Sequence, residues 1–389
     1  MKQADLDSIL TRMISAHPRI SDLNFTVGRP CQIVADGRLH PVVMDNIVTG
    51  QLVPFQTEQM ALALMNDDRR LLADLFRHGS CDLSYYLPDG PRFRVNVFSQ
   101  RGVYSIAMRK LESEVPTIES LGLPDCFRAM AREKNGIILF TGATGTGKTT
   151  SLATILDEIN RSEHLHVITL EDPIEFVHHH KKATFNQREL GKDFDAFASG
   201  LRAALRQAPH VILVGEIRDR ETVDVALNAA ETGHLVFSTL HTISASNTIN
   251  RILGMYTSEE EHQVRFRLAD SLRWVVGQRL LPKIKGGRAA IFEIMRNNIR
   301  VKDSIINGES EGKTFYEIIK NGQSYNMQTF DQNIVRLFEQ GVIDEETSMA
   351  YASSRASVRQ GIDQVKARRG EKTSDIDELS IDMDWGKSI

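Results

Sequence analysis

The sequence predicts an α/β protein in two parts, a small α+β domain followed by a larger domain on a parallel sheet. Two observations carry this. Over roughly the first 112 residues, short alternating runs and hairpin signals dominate. From about residue 120, continuous apolar runs of strand length are separated by helical stretches, as in a sheet buried on both faces.

The elements follow in order. Leu6, Ile9, Leu10 and Met13 fall at helical spacing. "PCQIVADGRLHPV" reads as a hairpin turning at Asp36-Gly37, and residues 56–77 as one helix. In "GPRFRVNVFSQRG", Phe93, Val95 and Val97 alternate with Arg92, Arg94 and Asn96, giving a strand with one apolar and one polar, basic face. Residues 113–120, within the Pro-containing, acidic "ESEVPTIESLGLP", read as a linker. Strands are expected at 136–141, 166–170, 211–214 and 235–239, and mostly helix over 260–281 and 299–368. The resulting division is 1–112, linker 113–120, an α/β core 121–298, a helical region 299–369, and a polar, acidic tail 370–389 expected to be disordered.

Composition narrows the function classes. The chain has 389 residues, 41% hydrophobic and 25% charged, as in ordinary globular proteins. Lys plus Arg total 47 against 51 for Asp plus Glu, a net charge of −4, so nucleic-acid coating is disfavoured and no nucleic-acid partner is expected. The three cysteines, Cys31, Cys81 and Cys126, are far apart and form no CxxC pair, which fits a reducing cytoplasm. The N-terminal stretch lacks a signal-peptide core, and no apolar run approaches the roughly 20 residues that span a bilayer. Any membrane connection is therefore expected through a partner, not by insertion.

The chemistry is concentrated in "LFTGATGTGKTT". Gly142, Gly147, Lys148 and Thr149 fit GxxxxGK[ST], and the loop residues Gly142, Ala143, Thr144, Gly145, Thr146, Gly147, Lys148, Thr149 and Thr150 are the nucleotide-binding candidates. An apolar strand precedes the loop and a helical stripe of Leu152, Ile155, Leu156 and Ile159 follows it, the strand–loop–helix setting the motif needs. Glycines let backbone N–H groups turn toward phosphates, and the helix N-terminus adds partial positive charge. Lys148 is expected to reach the β- and γ-phosphates and Thr149 to ligate Mg²⁺. No N/T-K-x-D guanine reader follows a strand, so ATP is the expected nucleotide.

Three further stretches supply acids and histidines. "VILVGEIRD" ends an apolar strand in Glu216, expected beside the phosphate-loop strand and able to polarise water. The Asp that usually precedes such a Glu is Gly215 here, so the metal needs another carboxylate. "TLEDPIEF" offers Glu171, Asp172 and Glu175. "ETGHLVFSTLHT" places His234 and His241 at the two ends of one strand, either as structural groups or as γ-phosphate sensors. His178, His179 and His180 are consecutive on an extended chain and cannot easily share one metal ion.

Taken together, "GATGTGKTT", "TLEDPIEFVH", "VILVGEIRD" and "ETGHLVFSTLHT", with "SDLNFTVGRP", "NQRELG", "LRAALRQAP" and "MQTFDQ", resemble the PilT/PilU family of type IV pilus retraction ATPases, within the secretion-ATPase superfamily. The resemblance spans about residues 5–350. It departs at "IMRNNIRVKDSII", where PilT-type members carry AIRNLIRE; "RQAP" is closer to the PilU branch and "FSTLHT" to the PilT branch, so the branch stays open. Extension ATPases are longer and usually carry a four-cysteine zinc motif, absent here.

The resemblance implies an N-terminal PAS-like domain, a RecA-like P-loop NTPase domain with C-terminal helices, and a cytoplasmic homo-hexamer peripheral to the inner membrane. ATP and Mg²⁺ would be used to drive retraction and twitching through an inner-membrane pilus platform protein, with a paralogous retraction ATPase as a further candidate partner. Glu216 would be the catalytic base, and Glu175 would help position Mg²⁺ or water, with Glu171 the alternative. Arginines of the N-terminal domain would act as fingers; Arg92, Arg94 and Arg101 are the matching candidates. A secretion or PilU-like accessory ATPase is the nearest alternative, and a RecA-like DNA translocase the alternative of another class.

Overall fold

The computed structural model describes residues 1–42, 50–88, 90–111 and 114–371, so the acidic tail from residue 372 and part of the linker lie outside the described residues. The chain divides into two compact units: Met1–Pro116 with Asp172–His179, and Thr117–Glu171 with His180 onward.

The first unit contains α1 (Gln3–Ser15), β1 (Ile20–Phe25), β2 (Gln32–Ala35), β3 (Arg38–Pro41), α2 (Pro54–Met65), α3 (Arg69–His78), β4 (Ser80–Tyr86), β5 (Arg92–Gln100) and β6 (Val103–Lys110). Its strands form one sheet of order β3-β2-β1-β6-β5-β4, with antiparallel pairing throughout. Leu6, Ile9, Leu10 and Met13 of α1 share a core with Phe93, Val95 and Val97 of β5, all fully buried, while Arg94 is exposed. Period-2 alternation thus sets which face of β5 is covered. β2 and β3 turn at Asp36-Gly37, both at positive φ. The single helix expected over 56–77 is two helices. Asn66 and Asp67 are left-handed, and the Asp68 carboxylate accepts from the N–H groups of Arg70 and Leu71, capping α3.

The second unit contains α4 (Ile118–Leu121), α5 (Cys126–Ala131), β7 (Gly136–Thr141), α6 (Lys148–Ser162), β8 (His166–Glu171), β9 (Thr184–Glu189), α7 (Phe197–Ala204), β10 (Val211–Val214), α8 (Arg220–Glu231), β11 (Leu235–Leu240), α9 (Ala245–Leu253), α10 (Ser258–Ser271), β12 (Leu272–Pro282), β13 (Arg288–Arg296), α11 (Ile299–Asn307), α12 (Phe315–Lys320), α13 (Phe330–Glu339), α14 (Glu345–Tyr351) and α15 (Arg355–Arg368). Its sheet has the order β13-β12-β7-β11-β10-β8-β9. Alternate residues feed two cores. Ile138, Phe140, Phe237, Trp274 and Val276 pack with α5 and α6, whereas Ile137, Leu139, Ile212, Val236 and Val275 pack with α7 to α12. Each fully buried aliphatic or aromatic side chain contributes about 1.5–3 kcal/mol relative to exposure, so covering both faces is what makes the continuous apolar runs favourable.

Two expectations change here. The sheet is mixed, because β13 pairs antiparallel with β12. The helical stretch expected over 260–281 stops at Ser271, and the rest is β12, inserted between β7 and β13. "LRWVVGQRLL" is apolar without a clear period because both faces of an interior strand are buried, and such a run does not announce strand or helix.

Candidate nucleotide site

The phosphate loop is the turn between β7 and α6. Gly142 leaves the strand at φ 146° and Gly147 caps the helix at φ 87°, both in the region that favours glycine. Space excludes other residues as well. A Cβ on Gly142 would lie 2.4 Å from the Gln278 carbonyl oxygen, and one on Gly147 would lie 3.0 Å from Gln278 Nε2. The loop therefore rests against β12, while Ala143, Thr144 and Gly145 at its tip are exposed. Thr146 Oγ1 donates to the Ala143 carbonyl at 2.9 Å. Lys148, only 8% exposed, turns its Nζ back onto the loop and donates to the carbonyls of Gly142 (2.7 Å) and Ala143 (3.0 Å). Thr149 and Thr150 follow in the first turn of α6, half-buried, where helix N–H groups have no intrahelical partner.

The acidic group stands two strands away. β10 is not beside β7 as expected; β11 lies between them. The C-terminal end of β11 therefore separates the loop from Glu216, and the residue there is His241. His241 Nε2 is 3.4 Å from Glu216 Oε1, and Glu216 Oε2 is 2.8 Å from an Arg218 guanidinium nitrogen. The Glu216 side chain is 17% exposed, so it is shielded yet reachable. Gly215 has a local cause: its Cβ would lie 3.0 Å from the Leu170 carbonyl oxygen, to which its own N–H donates at 2.7 Å. An aspartate there would have to push β8 aside.

The loop after His241 is pinned to the phosphate-loop strand. The Thr141 and Thr242 hydroxyls are in close contact, the Thr242 N–H donates to Thr141 Oγ1 at 3.2 Å, and the Thr242 hydroxyl meets that of Thr248 at 2.7 Å. Movement at His241 is thereby tied to the residue preceding Gly142.

The remaining candidates divide. Glu171, buried at the end of β8, accepts from Thr169 Oγ1 (2.6 Å) and Gln187 Nε2 (3.1 Å). Glu175 lies in the Asp172–His179 segment that belongs to the first unit and is half-buried. His234 is not brought to the loop of its own chain. It precedes β11 at the opposite edge of the sheet, with Nδ1 2.9 Å from the Ala229 carbonyl and 3.2 Å from Thr232 Oγ1. Seven residue steps along β11 separate it from His241, about 23 Å at ~3.3 Å per residue. Within one chain, His241 therefore stands at the phosphate-loop edge of the sheet and His234 at the opposite edge.

In the first unit, Arg94 is exposed in mid-strand, and Arg101 is exposed in the turn between β5 and β6. Arg92 differs from both: its guanidinium lies 4.5 Å from the Tyr86 ring centroid, and its three side-chain nitrogens are buried without a hydrogen-bond partner among the described residues. Sequence reasoning missed Thr141, Thr242 and Gln278. The last carried a visible signal, an amide inside the apolar run "WVVGQRLL".

Comparison with known proteins agrees with this geometry. The profile of the family "Type II/IV secretion system protein" matches residues 86–369. The chain is 40% identical over 341 residues to the "Type IV pilus retractation ATPase PilT" of Pseudomonas aeruginosa, covering 87% of this chain and 96% of that protein. It is 38% identical over 340 residues to the "Type IV pilus ATPase PilU" of the same organism, covering 87% of each. A crystal structure of the pilus retraction motor PilT with bound ADP superposes with a TM-score of 0.80 at 39% identity, covering 92% of this chain and 99% of that one. The chain belongs to the PilT/PilU family of type IV pilus ATPases, within the type II/IV secretion system proteins.

Proposed function

We propose that this protein is the motor subunit of a hexameric ring that hydrolyses ATP to power type IV pilus retraction, acting in the cytoplasm on an inner-membrane platform protein. The observation that carries the reading is the extent of the match: 40% identity runs across 96% of a retraction ATPase, not across a nucleotide-binding core alone.

The loop fits a nucleotide's phosphates. Its glycines allow a close cradle, the α6 N-terminus supplies N–H donors, and Lys148 already lies along the loop with its ammonium on loop carbonyls that phosphate oxygens can replace as partners. Glu216 accepts the proton of the attacking water, with Arg218 and His241 holding its two oxygens. Mg²⁺ would be held by hard oxygen donors, with the Thr149 hydroxyl and, from the family resemblance, the Glu175 carboxylate as candidates, and would neutralise phosphate charge. Charge developing on the transferred phosphoryl group is met by one of Arg92, Arg94 and Arg101, and the guanidinium of Arg92, buried without a hydrogen-bond partner among the described residues, favours it.

Deleting the gene in its host and counting pili tests the direction of motion. Excess pili with lost twitching support a retraction motor, whereas bald cells would assign it to assembly. A PilU-like accessory role has one observation in its favour, the 38% identity to PilU over the same span. It predicts near-normal pilus number and twitching that fails only under load.

A further inference from the structure

We infer that Gln278 is a positioning residue for nucleotide binding, holding the phosphate loop in its occupied form from beneath. Gln278 lies on β12, on the same face as Val276 and one residue past Gly277, which pairs with Thr141 of β7. It is 2% exposed, yet its Oε1 has no hydrogen-bond partner among the described residues. Buried polar groups are nearly always satisfied, and an exception signals a missing partner or a working site. The amide is also aimed at one place. Its Nε2 lies 3.0 Å from the position a Gly147 Cβ would take, and its backbone carbonyl oxygen lies 2.4 Å from the position a Gly142 Cβ would take. One residue thus touches both ends of the loop, next to the α6 N-terminus, whose first N–H groups have no intrahelical acceptor.

An unbranched hydrocarbon of the same length would fill this place without leaving a buried acceptor unpaired, so packing alone does not call for glutamine. The amide gains its partner when the loop moves onto a phosphate. Oε1 then accepts from a loop N–H that the phosphate does not use, and the occupied loop is favoured over the relaxed one in which Lys148 holds the loop carbonyls. This rests on the reading that residues 142–149 hold the nucleotide. Gln278 acts through the loop and touches no reacting atom, so it favours the bound ground state and the transition state alike. The signature of such uniform binding is a raised KM with little change in kcat.

The test uses the full chain, with MgADP as the probe for binding and MgATP for turnover, and compares wild type, Gln278→Met, Gln278→Asn and Lys148→Ala. For Gln278→Met, the nucleotide-free melting midpoint should be unchanged or raised, MgADP affinity should fall about tenfold, and KM should rise about tenfold with kcat within about threefold. The shorter amide of Gln278→Asn should be intermediate in affinity. Four results would overturn the inference. A lowered nucleotide-free midpoint, or failure of Gln278→Met to fold, would make the amide structural. A fall in kcat at constant KM would indicate loss of active protein. Wild-type affinity in both Gln278 variants alongside a defect in Lys148→Ala would remove Gln278 while leaving the loop reading standing. Wild-type affinity in Lys148→Ala as well would remove both.

Discussion

At the N-terminal edge of the seven-stranded sheet, His166 opens β8, His210 precedes β10 and His234 precedes β11; at the C-terminal edge, His241 follows β11. The first three are joined to the frame. His166 Nε2 lies 2.8 Å from Asn186 Oδ1 and its Nδ1 lies 3.2 Å from the Ala208 carbonyl, His210 Nδ1 accepts from the His166 N–H at 3.2 Å, and His234 lies on the Ala229 carbonyl. His241 keeps a side chain 45% exposed and turns its ring to a carboxylate, Glu216. The same residue type closes strand ends at one edge and meets the chemistry at the other. The cause is topological. Helices α6 and α8 begin just beyond the C-terminal ends of β7 and β10, so helix N-termini and their dipole charge collect at that edge. Acids, glycines and an exposed histidine are useful there, whereas the opposite edge needs only its donors and acceptors satisfied.

The largest effect that could break this contrast belongs to Glu216. Glu216→Gln keeps the shape and the Arg218 contact but cannot accept a proton. Turnover should fall on the order of 100- to 10,000-fold while ATP still binds. Single-turnover hydrolysis with labelled ATP measures it. A fall of less than tenfold would make Glu216 structural and move the base to Glu175.

Lys148→Ala comes next. The ammonium that now lies on two loop carbonyls is lost, and nucleotide affinity should weaken on the order of 100-fold or more. Titration with a fluorescent ATP analogue decides it. Wild-type affinity would place the nucleotide elsewhere than at this edge.

The C-terminal edge was the more legible of the two because its signals are local. GxxxxGK[ST] with its flanking strand and helix needs no tertiary information, and the strands over 136–141, 166–170, 211–214 and 235–239 stand out as short apolar runs between turn residues. What escaped depends on who is whose neighbour. Strand order inserts β11 between the loop and Glu216, which the chain order does not reveal. β12 was hidden because an interior strand is apolar on both faces, and the role of Gln278 was hidden with it. Asn66-Asp67-Asp68 broke the helix expected over 56–77 through left-handed geometry and side-chain capping, signals that the apolar spacing on either side outweighed. The burial of the Arg92 nitrogens could not be read from a strand that alternates cleanly.

The smallest effects give the sharpest comparison, because they set two histidines of one strand against each other. His241→Ala removes a donor facing the carboxylate that activates water. The ring lies 3.4 Å from that carboxylate, and if it tightens to a hydrogen bond when substrate binds, worth about 1.5–3 kcal/mol to a charged group, turnover should fall about tenfold or more, with stability nearly unchanged because the side chain is exposed. His234→Ala removes a ring tied to the Ala229 carbonyl at the far edge. It should cost about 1 kcal/mol of stability and leave turnover per folded molecule within about twofold. Urea unfolding and ATPase rates on the same preparations separate the two quantities. If His234→Ala slows hydrolysis as much as His241→Ala at equal folded fraction, the N-terminal edge takes part in the reaction, and a single-chain site at the C-terminal edge is too small a description. If His241→Ala instead loses stability and keeps its rate, His241 belongs with the structural histidines. Glu216 would then depend on Arg218 alone for its orientation, and Arg218→Ala should slow turnover by the factor expected here of His241.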